Sequence, residues 1–226
     1  MISFKGTHFA KDIILTCVRW YVAYPLSYRQ LEELMQERGV SVDHATIHRW
    51  VLKYAPQLEA AFHRRKRPVC VSWRLDETYI RVRGHWHYLY RAVDKTGQTV
   101  DFLLTTHRDE SAARRFLTKA IRRHGVPDTI TIDGSEANAA AIRHYNAEHG
   151  TAMATRQIRY LNNVVEQDHR AIKRITRLML GFKSCAAAQN TLAGIELMHM
   201  IKKRQLVVEE GDEGLTVAEQ FYALAA

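Results

Sequence analysis

The chain has 226 residues, 46% hydrophobic and 25% charged, with 11 Gly and 4 Pro. This is the mix of a soluble globular protein of one or two domains, and it excludes a wholly disordered, collagen-like or low-complexity chain. No apolar run approaches the roughly 18 residues of a membrane span, and the first residues lack the apolar core of a signal peptide. Cys17, Cys70 and Cys185 are odd in number and far apart. They read as buried thiols in a reducing cytoplasm, not as a disulfide framework or a zinc site. The net charge is +9, and residues 207–226 hold five acidic residues and no Lys or Arg. A basic body with an acidic tail points to a polyanionic partner.

The first sixty residues read as helices. Phe9, Ile13, Ile14, Cys17 and Val18 recur with helical period up to Pro25. Ser27 and Gln30 have capping-box spacing for a second helix, with stripe Tyr28, Leu31, Leu34 and Met35 and Gly39 as its end. Asp43 caps a third helix, stapled by Val42 and Ile47, in which Ile47, Trp50, Val51 and Tyr54 share one buried face. Two helices about a Gly-containing turn are either a helix-turn-helix or a plain helical hairpin. On the first reading Ala45, His48, Arg49 and Lys53 point to a DNA major groove. The run His63-Arg64-Arg65-Lys66-Arg67-Pro68 reads as a linker, solvated or following a phosphate backbone.

From Val71 the pattern turns to strands. Residues 71–83, 85–94 and 99–106 predict an antiparallel meander. A helix capped by Asp109 follows and stops at Gly125. Then come a strand over 128–133, a helix over 136–149, a strand near 156–160, a long helix over about 162–180 and a last helix over 183–204. The order β-β-β-α-β-α-β-α predicts a mixed α/β layer. The expected division is a helical domain over 1–62, a linker over 63–70, a catalytic domain over 71–182, a C-terminal helix over 183–206 and an acidic tail over 207–226.

Three acids stand where acids are costly unless used. Asp76 interrupts the β-forming run Trp73–Ile80, Asp133 ends an apolar strand before Gly134, and Glu166 lies early in the long helix. Crowded carboxylates repel unless a cation sits among them. Mg²⁺ prefers such oxygen ligands, and a pair of ions serves phosphodiester cleavage and transfer. On a helical wheel Val165, Ile172, Ile175 and Met179 form an apolar stripe, while Glu166, Arg170, Lys173 and Arg177 share its flank. That flank is either a solvated ion-pair face or an acid for metal beside cations for DNA backbone. Glu77 should face the other side of its strand, Glu136 should sit in the first turn of the next helix, and Asp168 should be solvated. His85-Trp86-His87 reads as an exposed hairpin, and no phosphate-binding loop is present, so ATP is not expected.

At these residues the chain resembles the DDE transposases of bacterial insertion sequences, specifically the insertion-sequence-six family. The segments that carry the resemblance are Phe4-Lys5-Gly6, Ser27-Tyr28-Arg29-Gln30-Leu31, Ile47-His48-Arg49-Trp50-Val51, Asp76-Glu77-Thr78-Tyr79, Tyr88–Asp94, Arg156–Tyr160, Asn162-Asn163-Val164-Val165-Glu166 and Leu180–Ser184. The interval from Asp133 to Glu166 is slightly shorter than is usual in that family. The resemblance implies an RNase H-like mixed sheet with flanking helices, preceded by an all-α helix-turn-helix domain. It implies Asp76, Asp133 and Glu166 as catalytic residues and as ligands of two Mg²⁺ ions, with Mn²⁺ able to substitute, and Lys173 as a DNA contact. The expected activity is binding of the element's terminal inverted repeats, cleavage, and 3′-OH strand transfer into target DNA. The expected setting is the nucleoid of a bacterial cytoplasm, as a homodimer or larger synaptic complex, without membrane or ATP. The alternatives are a catalytically inactive DNA-binding repressor and a nuclease without strand transfer.

Overall fold

The computed structural model describes residues 2–207 and 214–225. The chain forms two compact units, one from residues 1–67 with 172–226, the other from residues 68–171.

The helical unit starts with α1 (Lys11–Ala23), α2 (Tyr28–Gln36) and α3 (His44–His63). Both bonds of the Ser27–Gln30 capping box are present. Gly39, at φ +74°, donates its N–H to Gln36 O while Val40 N–H donates to Met35 O, so the left-handed residue ends α2 in a Schellman motif. Asp43 caps α3 by accepting from the N–H groups of Ala45 and Thr46. At 20 residues α3 is longer than the expected hairpin helix and passes through Pro56. Pro56 has no N–H for Leu52 O, and Asn190 Nδ2 donates to that carbonyl at 3.0 Å instead.

Asn190 belongs to α7 (Cys185–Lys202), which packs on α1 and α3. Its residues are buried around the whole circumference over Thr191–Met198, as befits a helix enclosed by others. A Cβ at Gly194 would lie 2.6 Å from Val22 Cγ1 and 3.0 Å from Ala55 Cβ, so the absence of a side chain permits this close approach. The C-terminal helix is thus an integral part of the helical unit. Nor is the basic run a free linker. Lys66 bridges Leu206 in antiparallel fashion, Arg67 N–H donates to Gln205 O and Val207 N–H to Arg65 O. Backbone pairing ties the segment down despite its charge.

The acidic tail was expected as one piece, but its end folds. Thr216 caps α8 (Val217–Ala223) with a complete capping box. Phe221 is fully buried, and Arg19 Nε donates to Tyr222 Oη at 3.0 Å. Residues 208–213, with most of the tail's charge, lie outside the described residues. Cys17 is buried as expected, whereas Cys70 is only half-buried and Cys185, on the first turn of α7, is exposed.

The α/β unit is a five-stranded sheet in the order β3-β2-β1-β4-β5. The strands are β1 (Ser72–Val82), β2 (His85–Asp94), β3 (Thr99–Thr105), β4 (Thr129–Ile132) and β5 (Ala154–Gln157). β2 is antiparallel to β1 and β3, whereas β4 runs parallel to β1 and β5. This is the RNase H-like arrangement. Helices α4 (Glu110–His124) and α5 (Glu136–His149) connect the strands, and their apolar faces bury Trp73, Leu75, Tyr90, Ala92, Ile130 and Ile132. The last strand comes two residues earlier than expected and is exposed at all four positions. Ile158, expected within it, lies instead just before α6 (Arg159–Thr176). α6 begins three residues before the expected start and gives way at Arg177–Met179 to a 3-10 turn, followed by left-handed Leu180 and Gly181.

Candidate active site

The sheet sets the positions of the two aspartates. The last parallel pairs are Ser72↔Thr129, Trp73↔Ile130 and Arg74↔Thr131. The pairing stops there; continued two residues beyond its last pair, the same register would bring Asp76 of β1 level with Asp133. Asp133 lies just past the end of β4, where Gly134 at φ +101° turns the chain toward α5. Its Oδ1 accepts from Ser135 N–H at 3.1 Å.

α6 is held on β1 by polar contacts from successive turns. Arg74 Nε donates to Leu161 O at 3.0 Å, Asn162 Nδ2 donates to Leu75 O at 3.2 Å, and His169 Nε2 lies 3.2 Å from Asp76 Oδ2. Asn162 and His169 are buried. Glu166 falls four residues after Asn162 and three before His169, on the helix face those two turn to β1. Its own side chain is exposed.

Asp76 and Asp133 therefore each lie two residues beyond the last β1–β4 pair, and Glu166 sits on the helix docked beside Asp76. The three do not form a closed cage. Among the described residues no group of three or more His, Cys, Asp or Glu side chains is assembled to hold an ion as it stands. Each aspartate has its own partner, His169 for Asp76 and Arg108 for Asp133. In donor chemistry the set suits Mg²⁺, which takes few carboxylates and completes its shell with water and substrate oxygen.

Arg108, in the loop after β3, was not anticipated. Its Nη2 lies 3.1 Å from Glu77 Oε2 and 3.7 Å from Asp133 Oδ2, so one guanidinium spans both carboxylates. Glu77 faces away from Asp76, as alternation requires. It is buried and accepts from Asn138 Nδ2 at 2.8 Å. Burial pushes its carboxyl above the usual range, opposed by the Asn138 bond and Arg108. Glu136 stands in the first turn of α5. His85 and Trp86 are exposed on the hairpin, and His87 is half-buried.

Asp168 departs from expectation. It is mostly shielded, its side chain 9% exposed, and pairs at 2.7 Å with Arg91, whose side chain is fully enclosed. The reason is the β1–β2 register, which sets Arg91 directly across from Asp76 and beneath α6. An enclosed guanidinium needs a counter-charge. No local pattern reveals this, because Arg91 and Asp168 are 77 residues apart.

In the helical unit Ala45, Arg49 and Lys53 are exposed on α3. His48 is half-buried, packed edge-on against Tyr28 with ring centroids 5.1 Å apart. Burial, then Lys183 and Arg49, hold its imidazole below the usual range. Arg170 is exposed and Lys173 half-buried on α6. Arg177 falls in the 3-10 turn, off the regular helical flank that the wheel assigned to it, because α6 has ended at Thr176.

The family described as DDE domain (DDE_Tnp_IS240) matches residues 70–205. The transposase for insertion sequence-like element IS431mec of Staphylococcus aureus is 39% identical over 209 residues, covering 90% of each chain. The transposase for insertion sequence element IS257 in transposon Tn4003, also of S. aureus, is 38% identical with the same coverage. Among solved structures, the HTLV-2 integrase catalytic core domain in complex with magnesium is similar at 17% identity and a TM-score of 0.45, covering 69% of this chain and 97% of that one. A domain-family match over more than half of this chain, with relatives 38–39% identical over nine-tenths of both chains, means that this chain belongs to the DDE transposases of bacterial insertion sequences, in the insertion-sequence-six family.

Proposed function

We propose that the protein binds the terminal inverted repeats of its element and catalyses cleavage at their ends and transfer of the freed 3′-OH into target DNA. The observation that supports the reading is the parallel β1–β4 pairing up to Arg74↔Thr131, two residues short of Asp76 and Asp133, with Glu166 on the helix docked at Asp76. In this reading Asp76, Asp133 and Glu166 would hold two Mg²⁺ ions, and Mn²⁺ would serve in their place. When bound, the ions supply Lewis-acid activation of the attacking oxygen and charge stabilisation at the leaving one.

The remaining work falls to the chain's own side chains. Ala45, His48, Arg49 and Lys53 on α3 meet the major groove of the element end. Arg170, Lys173 and Arg177 follow DNA backbone, where cations position phosphates without reading sequence. Arg108 keeps the Asp133 carboxylate at the sheet end by attraction from one side. Because an element has two ends, the working assembly is a homodimer or larger complex on double-stranded DNA. Its site of action is the nucleoid of the bacterial cytoplasm.

The test uses purified protein, labelled element ends and a plasmid target, in Mg²⁺ and separately in Ca²⁺. Joined product in Mg²⁺ that disappears in Asp76→Ala is the expected result. End binding with no cleavage in any divalent ion would instead identify a repressor, and cleavage with no joining a nuclease.

A further inference from the structure

The contacts around Asp76 go one step beyond the carboxylates. Arg91 Nη1 lies 3.2 Å from His169 Nδ1, and Arg91 Nη2 donates to Asp168 Oδ2 at 2.7 Å. His169 Nε2 faces Asp76 Oδ2 at 3.2 Å. A guanidinium only donates hydrogen bonds, so Nδ1 of His169 must accept. The ring proton then sits on Nε2 and is donated to Asp76. Two neighbouring residues of α6 thus engage one buried arginine, and that arginine sets the tautomer of the imidazole. The register Asp76↔Arg91 keeps both ends of the chain of contacts on the same pair of strands.

We infer that His169, oriented by Arg91 and Asp168, is a positioning residue for the reaction: it holds one oxygen of Asp76 and so aims the other at the place where a divalent ion binds. This rests on the reading of Asp76 as a metal ligand. The arrangement is that of an outer-shell partner, which orients a ligand without touching the ion. Packing alone would account for a buried ring between sheet and helix. It would not require an acceptor toward Arg91 and a donor toward Asp76 on the same ring.

That difference makes the inference testable, because glutamine reproduces both functions. The amide nitrogen of His169→Gln can donate to Asp76 and its oxygen can accept from Arg91, whereas His169→Leu fills similar space and does neither. The full chain is titrated with Mn²⁺, and bound ion is followed by electron paramagnetic resonance. Strand transfer and the melting temperature without metal are measured in parallel. Outer-shell partners typically carry about 10–100-fold in metal affinity or activity. His169→Leu should weaken Mn²⁺ binding by about 10-fold or more on that scale, and His169→Gln should recover most of the loss. Ring-¹⁵N histidine spectra of the metal-free protein supply a readout independent of the ion. The signal missing from His169→Gln should show a protonated Nε2 and a bare Nδ1.

Wild-type Mn²⁺ binding in His169→Leu, together with lost binding in Asp76→Asn, would overturn the positioning role and leave the ligand role standing. Undiminished binding in Asp76→Asn would overturn the reading of Asp76 itself. A proton on Nδ1, or a glutamine variant as impaired as leucine, would also refute the inference. If His169→Leu fails to fold, the spectra and the glutamine variant still decide.

Discussion

Gly194→Ala tests the attachment of α7 to the N-terminal helices. The added Cβ would stand 2.6 Å from Val22 Cγ1, 3.0 Å from Ala55 Cβ and 3.2 Å from Val22 Cβ. Carbon atoms prefer separations of about 3.5–4.0 Å, so the closest contact is about 1 Å too short. Relief is hard to find. Val22 is β-branched and stiff at χ1, and Ala55 has no side-chain torsion to turn. Overpacking of this kind costs about 1–3 kcal/mol. Replacing Gly by Ala inside a helix returns about 0.5–1 kcal/mol through backbone entropy. Taken from the middle of both ranges, the net is about 1–2 kcal/mol of destabilisation. At about 2–4 °C per kcal/mol for a chain of this size, the melting temperature should fall by about 2–8 °C. Circular dichroism melts measure it. Stability should fall while the core's integrity, followed by hydrogen exchange in β1 and β2, is retained. An unchanged or raised melting temperature would mean that helix propensity alone governs the site, and the described approach of α7 to α1 and α3 would be refuted.

Other outcomes follow from the charged groups. Lys119→Met should destabilise by about 3 kcal/mol, because it removes the 2.8 Å partner of Asp101, whose side chain is fully enclosed, and leaves Arg123, at 3.3 Å, to balance the charge beside the Phe102 N–H. Burial alone would raise the Asp101 pKa, but Lys119 and Arg123 outweigh it and hold the carboxyl below the ordinary range. A depressed folded-state pKa adds stability above the unfolded carboxylate value, and that stability is lost as pH falls through the folded value. The stability gap between wild type and Asp101→Asn should therefore be full at neutral pH and close below about pH 4, as denaturant titrations at several pH values can check. On DNA, Arg49→Ala and Lys53→Ala should each lower the slope of log K against log salt by about one. His48→Ala should leave that slope unchanged at pH 7.5, since its ring is held neutral.

Much of this was legible because local signals agreed with one another. The capping residues Ser27, Asp43 and Asp109 each start a helix, and β2 and α5 occupy the residues that pattern assigned to them. Asp76 and Asp133 stood out as acids in β-forming runs. β5 was misplaced because Ile158 and Tyr160 mimic strand alternation, whereas the actual edge strand, Ala-Thr-Arg-Gln, buries nothing. Asp168 is illegible locally because Glu-Gln-Asp-His-Arg has the pattern of a solvated face; only long-range pairing brings Arg91 beneath it. The tail was read by its charge, which hid Phe221 and Leu224, the residues that pack it down.

The residues of the RNase H-like unit are interposed between two stretches that fold together. The chain leaves the helical unit after Arg67 and re-enters it at Ile172. A translation product cut short anywhere within the catalytic segment therefore lacks α7 and α8 and, with them, the partners that close over α1 and α3. Frameshifted or prematurely terminated copies of the chain would leave behind no intact helical unit. Early termination thus costs this architecture both units at once, the one behind the break as well as the one it falls in.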